Sequence, residues 1–311
     1  MSNLEREPDL VEASNAAESR RLITPRKVSL HTRSGAMVNR TLPHRELPTI
    51  GPWCFIDQFG PVLNQGAMRV AAHPHTGLQT VTWLFSGSVL HQDSLGSESI
   101  IRPNELNLMT AGHGVAHTEL SVDSESTLHG VQLWVALPEN ARNSTPTFQH
   151  LSEIPTLETS QAIFKVFAGS FAGVTSPAKF YTDIVGVQVE PLSSEIEISL
   201  TPGLEYGLLV INGTAIVDGQ SVNEGELLFL GVGADSLKII AAPNSLYLLL
   251  GGAPLNEPIV MWWNFIGRSH KEIVEMREAW ESHSNRFPEF ENVIGERIPA
   301  PQLPNIRLTA R

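Results

Sequence analysis

Three things are scarce in this 311-residue chain, and each scarcity removes a class of function. There is one cysteine, Cys54, so no intramolecular disulfide can form and no site built on several thiolates is available. No run of about 18 apolar residues occurs, and the opening MSNLEREPDLVEASNAAESRR has neither a basic start nor an apolar stretch, so no membrane partner and no export are expected. A reducing compartment, the cytoplasm, is the expected location. There is also no run of Lys or Arg. With a net charge of -12, the chain lacks the clustered basic face that a direct nucleic-acid partner would require.

What the chain has instead is turn-rich β patterning. Its 24 Gly and 21 Pro fall between short apolar runs, and a 41% apolar content is enough for a proper core. Residues 1–20 are polar and aperiodic and are expected to be a flexible leader. From Val28 the apolar stretches are short and evenly spaced, as in an antiparallel sandwich or small barrel. The second half replays this rhythm: Gly207 to Gly213 echoes Val81 to Gly87, Val222 to Leu227 echoes Ile101 to Leu106, and Leu246 to Leu250 echoes Leu128 to Val135. The expected fold is therefore all-β, with two related antiparallel β-barrel modules over residues 21–145 and 146–260, joined within residues 140–160. A third region, 261–311, carries a short helix and a wrapping tail. There Ser269-His270-Lys271-Glu272 has the spacing of a capping box, and Ile273, Met276 and Trp280 recur at helical intervals, which predicts a helix over 270–283.

The chemistry is concentrated in the first module. His73 and His75 form one i, i+2 pair and His117 and Glu119 another. In a strand, residues two apart face the same side, so each pair can point into one cavity. Three neutral imidazoles and a carboxylate suit one divalent ion, and this mixed donor set is compatible with iron, manganese, nickel, copper or zinc. The absence of thiolates and the open positions favour a catalytic or redox ion, iron first, over a closed structural zinc. His91 competes for a ligand role but is read as lying behind the ligands, and His113, in the turn Gly112 to Gly114, as a residue of the cavity mouth. Gln79, four residues after His75, is expected to hydrogen-bond a ligand imidazole. Aligning the two halves by hand puts Ser199 and Thr201 at the places of the first pair and Lys238 and Ile240 at those of the second, so the second module is expected to hold no metal.

The stretches His73-Pro74-His75-Thr76-Gly77, Met109 to Glu119, Gly251 to Val260 and Gly51 to Pro61 resemble the pirin family of the cupin superfamily, over roughly residues 25–285. The resemblance implies a bicupin, a fold of two cupin modules. It implies a metal, usually iron, in the N-terminal module only, held at His73, His75, His117 and Glu119. It also implies one of two activities. The first is a quercetinase-type dioxygenase, in which Glu119 takes the hydroxyl proton of a flavonol or similar enol-bearing aromatic, and the ring is cleaved by dioxygen with loss of carbon monoxide. The alternative is a redox-sensitive regulator acting through protein partners. Thr76 and Gln79 stand where the family usually carries Arg and Glu. Trp262-Trp263-Asn264-Phe265 also departs from the Gly/Pro-containing segment of many pirins.

Overall fold

The structure is a computed structural model that describes residues 11–13, 20–29, 37–63, 68–122, 127–290, 296–304 and 307–308. Most of the leader expected over residues 1–20 lies outside these. Within it, Val11–Ala13 forms a strand antiparallel to Ile259–Trp262.

Each module is a pair of facing antiparallel sheets. In the first, a seven-stranded sheet runs in the order Thr147–Leu151, Leu106–Thr110, Leu78–Ser86, Thr127–Ala136, Trp53–Leu63, Met37–Leu42 and Arg26–Ser29. It faces a four-stranded sheet ordered Arg69–His75, Val115–Ser121, Val89–Asp93 and Glu98–Ile101. Val38, Phe59, Leu84 and Leu128 of the large sheet meet Val70, Val89 and Ile101 of the small one. The second module repeats the plan. Its large sheet is centred on Ile184–Pro191, Leu246–Gly252 and Glu205–Asn212, and its small sheet is ordered Glu195–Ser199, Ser236–Ala241, Thr214–Val217 and Gln220–Asn223. The corresponding turns after Leu78–Ser86 and Glu205–Asn212 are both made by glycines in the left-handed region, Gly87 at φ 80° and Gly213 at φ 79°.

The expected all-β fold of two related modules is present, and two details sharpen. The modules are cupin-type sandwiches rather than closed barrels, because two facing sheets bury the same inner faces without a ladder having to close. Strand pairing also crosses the boundaries drawn at residues 21 and 146. Arg21–Ile23 pairs with Leu227–Val232 in the second module's large sheet, and Thr147–Leu151 pairs with Leu106–Thr110 in the first.

The large sheets pack back to back, and period-two alternation decides which residues do so. From Leu78–Ser86, Val81 and Trp83 enter the interface with Phe167, Leu209, Phe229 and Leu248, while Thr80 and Thr82 turn into the first module's own interior. Trp83 stacks on Phe167 at 4.9 Å and donates to Gln188 Oε1 at 2.7 Å. Trp53 donates to the carbonyls of Val185 and Gly251 at 3.1 and 3.0 Å, so its buried polar atom is satisfied by the other module. Each such large side chain stabilises by roughly 2–3 kcal/mol through burial alone.

The helix forms over His270–Glu281, two residues shorter than expected, with Ile273, Met276 and Trp280 buried. Ser269 accepts from the Glu272 amide at 3.3 Å, the expected half of the capping box. The other half goes elsewhere: Glu272 accepts from the Arg268 amide at 3.0 Å and from Arg142 at 2.8 Å. Beyond the helix Ile298 donates its amide to the Ala72 carbonyl, on the edge strand of the four-stranded sheet, at 2.8 Å. That contact covers part of the free edge of Arg69–His75. No helix among the described residues is long and apolar enough to cross a membrane.

Inside the first module, Arg40 and Asp57 form a fully buried bidentate ion pair at 2.7 and 2.8 Å, with the guanidinium 4.4 Å over the Phe55 ring. Removing one partner strands a charge away from water. Asp57→Ala should therefore destabilise the fold by about 3–5 kcal/mol in denaturant titration, and a loss under about 1 kcal/mol would contradict this reading.

Candidate metal centre

The two sequence pairs meet on neighbouring strands. Arg69–His75 and Val115–Ser121 run antiparallel with His117 directly opposite His73 and Val115 opposite His75. The three rings converge on the interior: their centroids are 4.3 Å apart for His73 and His117, 5.0 Å for His75 and His117, and 5.1 Å for His73 and His75. One ligand atom from each lies within 4.8 Å of the others, an arrangement that could hold a metal ion. Glu119 follows two residues after His117, past a β-bulge in the pairing with Arg69–His75, and stands outside this compact group of three. All four side chains are at most 1% exposed.

The hydrogen bonds say which nitrogens face inward. His73 donates from Nδ1 to the Ala71 carbonyl at 2.8 Å, which leaves its Nε2 as a lone pair. His75 and His117 approach through their Nε2 atoms at 3.1 Å, and the Asn264 backbone acts on His75 from its other side. Burial pushes His73 down to about 4. Burial, with the neighbouring imidazole His73, holds His75 and His117 well below the ordinary histidine range. The cluster is thus three neutral imidazoles, the protonation state that ligands need.

Other elements support this geometry. The hairpin of Ile259–Trp262 and Phe265–Gly267 leans on the end of the strand that carries His73 and His75, where Ile266 donates its amide to the Thr76 carbonyl at 3.0 Å. Gly77, at φ 70°, must be glycine, since a Cβ there would fall 2.2 Å from the Ile266 carbonyl oxygen. The hydroxyl of Thr76 donates to Met276 Sδ at 3.0 Å, so this position serves helix packing and not charge. The distinctive Trp262 to Phe265 segment is the corner of that hairpin, and it carries Asn264 to His75.

The remaining expected residues divide. His91 is buried beside the three-histidine cluster, with its Nδ1 3.2 Å from His117 Nδ1 and its ring stacked on Phe148 at 4.4 Å. Gln79 turns away from them and donates to Thr110 Oγ1 at 2.9 Å and the Lys179 carbonyl at 3.0 Å. His113 is an exposed turn residue, its Nδ1 3.2 Å from the Ser144 carbonyl. The hand alignment of the second module slips by one residue. Lys238 and Ile240 are exposed and pair with Glu197 and Glu195, and the inward positions belong to Ile196, Ile198, Leu237 and Ile239.

Residues not singled out in the sequence line the opposite wall. Trp134 meets His75 edge-on at 5.2 Å and stacks on Phe55 at 3.9 Å. Thr80 lies across from Trp134, and Thr82 donates to Gln132 at 3.1 Å. Trp134 Nε1 and Asn107 Nδ2 are buried without an acceptor among the described residues. Alternation along Leu78–Ser86 and Thr127–Ala136 was the available signal, since Thr80, Thr82, Gln132 and Trp134 are the off-core set of two strands read as apolar.

A two-module cupin with a three-histidine centre in one module is a defined class of protein. The comparisons place it more narrowly. The sequence model of Pirin matches residues 35–135, and that of the Pirin C-terminal cupin domain matches residues 184–287. The chain is 40% identical to "Putative quercetin 2,3-dioxygenase PA1205" of Pseudomonas aeruginosa, over 98% of both chains. It is 31% identical to a "Pirin-like protein" of Caulobacter vibrioides, over 85% of this chain and 94% of that one. Among solved structures, a quercetin 2,3-dioxygenase from Acinetobacter baumannii superposes with a TM-score of 0.90 at 38% identity, covering 94% of this chain and 98% of the other. A bacterial pirin from Escherichia coli in complex with nickel(II) shares the fold at a TM-score of 0.62 and 19% identity, over 76% of this chain and all of that one. The chain belongs to the pirin family.

Neutral buried histidines make stability depend on pH. The unfolded chain titrates near the usual 6.5 and the folded His73 near 4, so between these values the unfolded state binds more protons. Stability of the metal-free protein should be level above pH 7 and fall as pH drops from about 6.5 toward 4. Thermal denaturation across that range checks this, and a midpoint that stays flat or rises on acidification would contradict it.

Proposed function

We propose that His73, His75 and His117, with Glu119 beside them on the same strand face, hold one divalent metal ion. Iron is the first choice, with manganese, nickel, copper and zinc as alternatives. We propose further that the protein is an oxidoreductase, a dioxygenase that cleaves a flavonol or similar enol-bearing aromatic. The observation that carries this is the convergence of three buried imidazoles, with one ligand atom of each within 4.8 Å of the others. His73 and His117 each have Nδ1 engaged on the outer side, and Nε2 of His75 and His117 stand 3.1 Å apart. Imidazole with carboxylate, free of thiolate, is a donor set for a first-row divalent ion. The names of the relatives from Pseudomonas and Acinetobacter support the same activity.

When bound, such an ion supplies Lewis acidity toward an enol oxygen and the electron-transfer capacity that dioxygen chemistry needs. The protein's own residues do the rest. The strand pairing brings the three imidazoles together with the Glu119 carboxylate two residues along the same strand, and their burial keeps bulk water from the reacting groups. Glu119 accepts the enol proton at its carboxylate, because the neighbouring imidazole lone pairs are committed to the ion. The Trp134 and Phe55 stack offers an aromatic wall beside His75 for a planar substrate. Trp134 Nε1 and Asn107 Nδ2 supply donors for its oxygens, which removes the cost, about 1–3 kcal/mol each, of burying them unpaired.

Glu119→Gln should keep part of its metal content while turnover falls by about a hundredfold or more. Metal analysis with oxygen uptake and carbon monoxide release on a flavonol panel reads both. Unchanged turnover would remove Glu119 from proton transfer, and no uptake by fully iron-loaded wild-type protein would remove the dioxygenase reading.

A further inference from the structure

Behind the ligands stands a polar chain that the metal reading does not use. His91 and Asp93 are two residues apart on the same strand, opposite Glu119 and His117 respectively. Both are buried. Asp93 is moored at its far oxygen: Oδ1 accepts the amides of Leu95 at 2.9 Å and Ser97 at 3.0 Å, within a turn also closed by the Gly96 amide on the Asp93 carbonyl. Its other oxygen, Oδ2, lies 3.1 Å from His91 Nε2. His91 Nδ1 lies 3.2 Å from His117 Nδ1. Phe148 stacks on the His91 ring at 4.4 Å and an interplanar angle of 12°, which fixes its plane.

These contacts allow one ordering of protons for neutral rings. A carboxylate only accepts, so His91 must carry its hydrogen on Nε2 and present Nδ1 as a lone pair. His117 must then donate from Nδ1, and its Nε2 is left as a lone pair facing His73 and His75. The opposite tautomer of His91 would set a lone pair against Asp93 and a second N–H against His117.

We infer that Asp93, acting through His91, is a positioning residue that sets the tautomer of His117 and holds its Nε2 ready for the ion. This rests on the metal-site reading for its purpose, but the tautomer itself is a property of the metal-free protein. The same chain also keeps His91 from competing as a ligand, since both of its nitrogens are engaged. A carboxylate behind a ligating histidine fixes ring orientation, and loss of such a partner costs about 10–100-fold in metal affinity. Here the carboxylate works one histidine further away.

The test uses full-length protein and two readouts. Long-range 15N–1H correlation spectra of the metal-free protein report the tautomer of each histidine, and chelator competition reports affinity for Ni2+. Asp93→Asn puts an amide donor opposite His91 Nε2 and reverses the chain. It should move His117 from the Nδ1–H to the Nε2–H tautomer and weaken Ni2+ binding about 10–100-fold. Asp93→Ser, whose hydroxyl can still accept the turn amides, is the second variant should the first misfold, and the same loss is expected. Combining Asp93→Asn with His91→Asn should restore affinity, because the carboxamide oxygen introduced at position 91 falls about where Nδ1 stood and accepts from His117 without help from residue 93. A purely structural role for Asp93 would not show that rescue. The inference is overturned if His117 keeps its tautomer and Ni2+ affinity stays within about twofold in both Asp93 variants, or if the double variant is as weak as the single. A wild-type protein that binds no Ni2+ while its His117 tautomer still follows residue 93 would leave the relay standing and count against the metal reading instead.

Discussion

The constraint on which this structure turns is the confinement of three neutral imidazoles in a buried interior. Burial keeps His73 near 4 and holds His75 and His117 well below the ordinary histidine range, so none of the three takes a proton near neutrality. The surrounding architecture supports that confinement. His73 is tied to the Ala71 carbonyl, His117 to His91, and His75 is reached by Asn264 from the hairpin. The strand Arg69–His75 that carries two of these histidines is an edge strand, and it is propped at Thr76 by the hairpin and at Ala72 by the tail. A helix and tail that look peripheral in sequence therefore hold the outer side of the site.

The two modules share a plan and differ in what they turn inward. In the small sheet of the first, the inward positions are His73, His75, His117 and Glu119. In that of the second they are Ile196, Ile198, Leu237 and Ile239, which pack with Val187, Leu208 and Leu249 into an ordinary core. The apolar module gains stability from burial at the place where the first carries polar groups that must be satisfied. It also furnishes the partner face for the first module's large sheet through Phe167, Phe229 and Leu248. One sandwich thus backs the other, and residues such as Thr80, Thr82 and Trp134 are left facing the polar interior.

Much of the site was legible because its signal is local. An i, i+2 spacing needs only a strand to put two side chains on one face, and both pairs lie in strands. The helix was legible for the same reason, through its cap and its 3.6-residue spacing, although Glu272 found Arg268 and Arg142 in place of its expected partner. What depended on distant parts of the chain was not legible. Sheet closure and the exchange of Arg21–Ile23 and Thr147–Leu151 between modules are set by pairings more than a hundred residues apart or across the join. The alignment of Lys238 and Ile240 failed by one residue, which in a strand exchanges the inner face for the outer. Gln79 was placed by its distance in sequence from His75, and its amide turned out to bridge toward Lys179. Asp93 was visible as the i+2 neighbour of His91, but its role needed the turn amides and the position of His117.

We take this cluster to hold a metal through three imidazoles. Anomalous diffraction from crystals of the protein purified without added metal, collected on either side of the iron, nickel, copper and zinc absorption edges, tests it most directly. The expected result is a single strong anomalous peak bonded to Nε2 of His73, His75 and His117, with Glu119 as the adjoining carboxylate. A featureless map at these residues in crystals soaked with divalent metal, or a peak bound elsewhere on the chain, would contradict it.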